Sequence, residues 1–331
     1  MPQAEASRRQ SGALWSAMPA QAMTSAPRLS FGQGARVHLY LAYLKTLWRL
    51  RQIFKIKAYG LGWTASRVGC EFDFTFRGAP FRFVPAAARS YCLLPAGIPN
   101  EPETHRFLDR VLEGKSNVLF IDVGASVGEF AIPMAHDPRV GRVLAFEPSP
   151  STYAALGASA VAAPAGKLAV DDRAVGAGQG VGAMDLRARS PSAAALRPVG
   201  GHDVEPVEIC ALDDVVHPHP GQAVILLIDI EGGELEALRG ARGMIRTARP
   251  LIIFEYNSTT RACFELQDAR QVLGASYRLF RLRSSDGRLD DDLDHTWNVV
   301  AVPDGGPWRE GRGDDLHLFA PCDRRTGLPH A

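Results

Sequence analysis

Apolar positions along this chain are spaced helically near the start, then alternate, then gather into short runs. Val37, Tyr40, Leu41, Leu44, Leu47 and Trp48 recur at i, i+3, i+4 and i+7, which predicts an amphipathic helix over residues 36–57. His38, Lys45, Arg49, Gln52 and Lys55 occupy much of the other side. Such a basic helix fits a membrane surface or a partner, but the favoured reading is a helix docked on its own domain with its charges in water. The segments at 71–75 (EFDFT) and 81–84 (FRFV) alternate around Arg77-Gly78-Ala79-Pro80 and predict a hairpin. Residues 101–114 predict a polar helix with Phe107, Leu108, Val111 and Leu112 on one side.

From Asn117 onward the pattern becomes strand, turn, helix, repeated. Strands are expected at Val118–Val123, Arg142–Phe146, Lys167–Val175, Ala183–Arg189, Val207–Leu212, Ala223–Ile228, Leu251–Tyr256, Tyr277–Leu282 and Trp297–Val302. Helices are expected up to Met134, near Thr152–Val161, at Gly233–Ile245 and at Ser258–Leu273. Ala223–Ile228 is wholly apolar, as a central strand of a parallel sheet must be when both its faces are covered. The alternation predicts an α/β, doubly wound, Rossmann-like fold. Three regions follow: a disordered tail over 1–34, a helix and hairpin extension over 35–115, and the α/β domain over 116–331.

Composition narrows the function classes. With 331 residues, 46% hydrophobic and 22% charged, the chain can bury a sizeable core. Its net charge of +1 conceals an asymmetry: residues 1–70 hold ten basic residues and one acid (+9), and the remainder carries −8. An acidic body speaks against nucleic acid as a partner. Five dispersed cysteines without a CxxC pair speak against a disulfide framework or structural zinc, and fit a reducing compartment. No apolar run reaches the roughly 18 residues of a membrane span, and the N-terminus lacks a signal-peptide stretch. The expected location is cytoplasmic.

Three strand ends carry the chemistry. The first is Ile121-Asp122-Val123-Gly124-Ala125-Ser126-Val127-Gly128-Glu129, where Gly124 permits a tight turn and a close ligand approach. Its Gly-x-x-x-Gly spacing differs from the Gly-x-Gly-x-x-Gly of dinucleotide binders. Asp122 would repel a pyrophosphate at the following helix and would accept an amine-bearing ligand. The second is Ala145-Phe146-Glu147-Pro148-Ser149-Pro150. Glu147 lies 23 residues beyond Gly124, at the tip of the next strand, where a carboxylate accepts both ribose hydroxyls. It could instead cap the next helix, although Ser149 or Ser151 could do that. The third is Leu226-Leu227-Ile228-Asp229-Ile230-Glu231-Gly232-Gly233-Glu234. Asp229 and Glu231 there suit a general base, a sulfonium or amine partner, or a metal. Glu234 fits the first turn of a helix.

These segments, with Leu212–Asp214 and the RPLIIFEYN segment around Leu251–Tyr256, occur in the order seen in the FkbM family of S-adenosylmethionine-dependent methyltransferases, which the chain resembles from about Glu101 to Phe254. The resemblance implies the class I methyltransferase fold, a mostly parallel seven-stranded sheet whose last strand is antiparallel, with helices on both faces. It implies S-adenosyl-L-methionine as cofactor and O-methylation of a small-molecule, glycan or natural-product acceptor. By resemblance Asp122, Gly124, Ser126 and Gly128 hold the amino-acid end of the cofactor, Glu147 the ribose, and Asp172 with Ala174 the adenine. Asp229 and Glu231 then face the methyl group and acceptor. Ser126 and Ser149 stand where the family usually has Asn, and Gly233 replaces a less flexible residue. Methyl transfer to an alcohol needs positioning and a proton route, for which Asp229, then Glu231, then His295 are candidates. Two other readings use the same residues: an NAD-dependent oxidoreductase on a similar sheet, and a non-catalytic cofactor-binding scaffold recruited through residues 36–57.

Overall fold

Where the pattern predicted one long basic helix, the chain builds α1 (Phe31–Phe54), and Val37, Tyr40 and Leu44 are its buried residues. The computed structural model describes residues 27–54, 61–185, 196–197, 204–294 and 296–308. Most of the expected tail (1–26) therefore lies outside the described residues, and its last residues belong to α1. After the short α2 (Leu61–Ser66) come β1 (Phe72–Phe76) and β2 (Ala79–Phe83). Their turn is tighter than expected: Phe76 pairs with Ala79, and only Arg77 and Gly78 connect them, both at positive φ. Two left-handed residues are what a two-residue hairpin loop requires if the strands are to keep their right-handed twist. The hairpin buries aromatic rings. Phe72 stacks on Phe83 at 4.7 Å, Phe83 meets Tyr91 at 4.8 Å, and Tyr40 of α1 packs on Phe83 at 6.0 Å.

The helix α3 (Pro102–Val111) leads into β3 (Val118–Val123), α4 (Ala131–His136), β4 (Val140–Phe146), α5 (Pro150–Ala160) and β5 (Leu168–Asp171). The expected strand 167–175 is thus two strands. The chain leaves the main sheet after Asp171, and β6 (Ala174–Val175) opens a second sheet with β7 (Gly180–Asp185), β8 (Leu196–Arg197) and β9 (Val204–Cys210). That small sheet has the order β6-β9-β7-β8 and holds the expected strands around Ala183 and Val207. The chain returns through α6 (Leu212–Val215) to β10 (Val224–Ile228), α7 (Glu234–Arg239), α8 (Arg242–Ala248), β11 (Leu251–Glu255), α9 (Leu266–Leu273), β12 (Tyr277–Leu282), β13 (Leu289–Asp290) and β14 (Asn298–Pro303). The expected helix 233–245 is broken at Gly240, where an added Cβ would sit 2.0 Å from the carbonyl oxygen of Gly176, the residue after β6.

The main sheet runs β13-β12-β14-β11-β10-β3-β4-β5. Strands β5, β4, β3, β10 and β11 are parallel neighbours, and β14 is antiparallel to both β11 and β12. This is the expected seven-stranded arrangement with its last strand reversed, plus the two-residue edge strand β13. Alternate residues feed two cores. Phe120, Val143, Ile225 and Ile253 join the core shared with α4, α5 and the N-terminal extension, which continues into this sheet face without a break. Leu119, Ile121, Leu226 and Phe254 join the core under α7, α8 and α9. Strand alternation and helices on both sides thus enclose every central strand, leaving the carboxyl ends as the place for chemistry. Among the described residues no helix is long and apolar enough to cross a membrane.

Candidate active site

Pairing registers decide which residues meet at the strand ends. Val123 pairs with Ile228, and Ile228 with Phe254, so Gly124, Asp229 and Glu255 follow one another across the sheet edge. The approach of the first two is close. Gly124 has φ +88°, and a Cβ there would lie 1.9 Å from the Asp229 carbonyl oxygen. Only glycine fits, for steric and for conformational reasons. The Gly124 and Ala125 amides donate to the Phe146 carbonyl at 2.9 and 3.0 Å, tying this turn to the next strand.

Glu147 locks the arrangement. Its Oε2 accepts the Ser126 amide at 2.8 Å, and its Oε1 accepts the Ser149 amide at 2.9 Å and the Thr152 hydroxyl at 2.8 Å. Ser149 occupies the N-cap of α5, but its hydroxyl makes no capping bond. Glu147 itself organises that helix start. A carboxylate offers about four acceptor sites, and three are used, which leaves one on Oε2 rather than the two expected for a bidentate grip. Burial raises the Glu147 pKa, and these three donors oppose the rise.

The loop after β10 is shaped by another carboxylate. Glu234, fully buried, accepts the amides of Ile230 at 3.1 Å and Gly232 at 3.0 Å. Glu231 sits between them at φ +56°. Glu234 stands in the first turn of α7 as expected, and from there it also clamps the loop that carries Asp229 and Glu231.

A cavity of about 560 Å³ opens over these strand ends. Of the residues proposed from sequence, Gly124, Ser126, Glu147, Ala174, Asp229 and Glu231 line it. Three do not. Asp122 is 2% exposed and lies beneath the turn, Gly128 is enclosed by Ile132 and Leu156, and Asp172 is exposed to solvent. His295 lies outside the described residues. The second sheet closes the cavity with Met184 and Ile209, and Arg173 joins the wall with its guanidinium held by Asp171 at 2.5 and 2.9 Å. Nothing in the local sequence separates Arg173 from an ordinary surface arginine; its place follows from the chain changing sheets beside it.

Beside the cavity the sheet face towards the extension gathers acids. Glu101 precedes α3, and its Oε2 accepts the Thr104 hydroxyl at 2.9 Å and the Asn298 amide at 2.8 Å. Glu129 accepts the Asn100 side-chain amide at 2.7 Å and approaches His105 Nε2 at 3.1 Å. Loss of hydration, then repulsion from Glu129, pushes the Glu101 carboxyl up to about 7. Burial pushes Asp122 up to about 8, and burial followed by repulsion from Glu231 and Glu234 pushes Glu255 up to about 8. Asp229 is also raised well above its ordinary value, by burial and then by Glu101 and Glu255. Among the described residues, Asp122 Oδ2 and Glu255 Oε2 have no hydrogen-bond partner. The sequence signal used for Asp229, a carboxylate ending an apolar strand, would also have found Glu255. Glu101 carries no such signal, because its partner Asn298 is 197 residues away.

The family model described as the methyltransferase FkbM domain matches residues 122–282. No curated protein matches the sequence. Among solved structures, methyltransferase FkbM from Methylobacillus flagellatus KT is similar at 16% identity over 66% of this chain, with a TM-score of 0.41, and the match spans 55% of that chain. TYW2 of M. jannaschii in complex with AdoMet is similar at 13% identity over 70% of this chain and 84% of that one, with a TM-score of 0.32. Precorrin-6y C5,15-methyltransferase from Geobacter metallireducens GS-15 is similar at 10% identity over 60% and 87%, with a TM-score of 0.32.

Proposed function

Residues 122–282 belong to the FkbM methyltransferase family, and from that premise we propose that the protein transfers a methyl group from S-adenosyl-L-methionine to a hydroxyl oxygen of a sugar, glycan or natural-product acceptor. The observation that carries the reading is that one cavity takes its walls from three acid-bearing or glycine-bearing strand ends: Gly124 with Ser126, Glu147, and Asp229 with Glu231. Its volume falls within the few hundred to 1,000 Å³ usual for small-ligand sites. The glycine turn leaves space where a side chain would stand. Among the described lining residues the one cation, Arg173, is held by Asp171, so the carboxyls of the cavity are left to a ligand bearing an ammonium and a sulfonium.

In this reading Glu147 accepts a single ribose hydroxyl through its remaining Oε2 site. The backbone of Gly124 and Ser126 borders the amino-acid end, with Asp122 beneath. Ala174 and the second sheet flank the base, with Arg173 beside it. The bound cofactor supplies a methyl group on a positively charged sulfur, which leaves readily. Asp229 would take the proton of the acceptor hydroxyl as that oxygen accepts the methyl group the cofactor would supply. Burial, then Glu101 and Glu255, raise the pKa of Asp229, which makes its carboxylate a stronger base than an exposed one. Glu231, whose pKa burial also raises, is the second candidate for that proton. Met184, Ile209, Val175 and Ile230 give the cavity apolar walls, which favours a step in which charge is neutralised.

The test is calorimetry with S-adenosylhomocysteine on the full chain and on Glu147→Gln. A glutamine cannot accept the Ser126 amide and the Ser149–Thr152 pair together, so affinity should fall at least about tenfold. Acceptor-dependent formation of S-adenosylhomocysteine across a panel of hydroxylated sugars and polyketides then identifies the acceptor. Unchanged affinity in the variant, or heat of binding with NAD in place of S-adenosylhomocysteine, would refute the proposal.

A further inference from the structure

The two readings open for the basic helix are divided between two faces of α1. Val37, Tyr40 and Leu44 are docked on the extension core. At about 100° per residue, Leu39, Ala42, Thr46, Leu50 and Ile53 follow one another at steps of three and four, and so occupy an arc of roughly 80° on the opposite face. All five are exposed, with Leu39 at 72%, Leu50 at 38% and Ile53 at 69%. Phe54, 65% exposed, ends the helix. Lys45 and Arg49 run along one margin of this outward stripe, both exposed. Residues 27–70 contain eight lysines and arginines and no acid.

We propose that this outward face of α1 docks the protein on an anionic lipid surface, lying in the interface plane. The stripe spans about 21 Å at 1.5 Å per residue, long enough to seat several apolar side chains among acyl chains. The flanking cations sit at headgroup height, where each attracts anionic lipid. The charge argues against a second copy on the same face, because two surfaces with only positive charge repel each other. The inner stripe keeps the helix attached to the body, so docking demands no refolding of the domain.

The experiment is co-sedimentation of the full chain with phosphatidylcholine vesicles containing phosphatidylglycerol, and with phosphatidylcholine alone. Binding should require phosphatidylglycerol and weaken with salt. Lys45→Ala with Arg49→Ala should weaken it about 25-fold, at about fivefold per charge. Leu50→Asn with Ile53→Asn should weaken it at least about 100-fold. Both variants alter only exposed positions and should keep the wild-type melting temperature and affinity for S-adenosylhomocysteine. No binding to the anionic vesicles overturns the proposal, as does binding unaffected by Leu50→Asn with Ile53→Asn. Lipid-free dimerisation abolished by that same pair would assign the face to a second copy instead.

Discussion

Asp122 is the carboxyl whose behaviour most directly tests the physics of this site. It is buried, one oxygen accepts the Ala131 amide, the other has no partner among the described residues, and its pKa stands at about 8 against an ordinary 3.8. Between those values the folded protein keeps a proton that the unfolded chain has released. Stability must therefore fall as pH rises through that window, by about 1.4 kcal/mol per pH unit for this one group. The asparagine introduced by Asp122→Asn keeps the shape and the acceptor for Ala131 but cannot ionise. Its amide N–H costs about 1–3 kcal/mol where no acceptor is in reach. The wild-type carboxyl at pH 5 likewise carries a buried donor, so the test is the change with pH: the variant should gain roughly 3 kcal/mol on the wild type between pH 5 and pH 7, at that slope. The advantage should level off above about pH 8. Glu101, Glu255 and Asp229 titrate in both proteins and largely cancel in the difference. Urea unfolding of both proteins at pH 5, 6, 7 and 8 measures this. Parallel stability profiles would mean that Asp122 is ionised in the native protein, and the argument from burial would fail.

Two further outcomes follow from the same geometry. Gly124→Ala places a methyl group on the Asp229 carbonyl and forces a positive φ on a residue with a Cβ, at a combined cost of roughly 2–5 kcal/mol, so both the melting temperature and S-adenosylhomocysteine affinity should drop; wild-type values of both would show that the two strand ends are not in contact. Glu234→Ala orphans the Ile230 and Gly232 amides and should cost about 3 kcal/mol in urea unfolding, with turnover falling more than cofactor affinity and Glu234→Gln recovering part of each loss. Equal turnover in all three proteins would remove Glu234 from the positioning of Asp229.

The sequence by itself determined the order of strands and helices, the three acid-bearing strand ends and the absence of a dinucleotide fingerprint. These are local properties: an apolar run of five residues such as Val224–Ile228 must be enclosed wherever it goes, and a carboxylate ending it must face the sheet edge. Tertiary structure alone decided the rest. The chain from Ala174 to Cys210 reads as more of the same alternation, yet pairs with itself to form the second sheet, because strand partners are chosen by distant backbone and not by side-chain period. The same holds for Asp122, which by spacing belongs to the turn and by packing lies under it, and for Glu101, drawn to the site by Asn298 from the far end of the chain. Helical periodicity revealed the inward stripe of α1; that its reverse face stays uncovered depends on what packs nearby, which no one-dimensional pattern encodes.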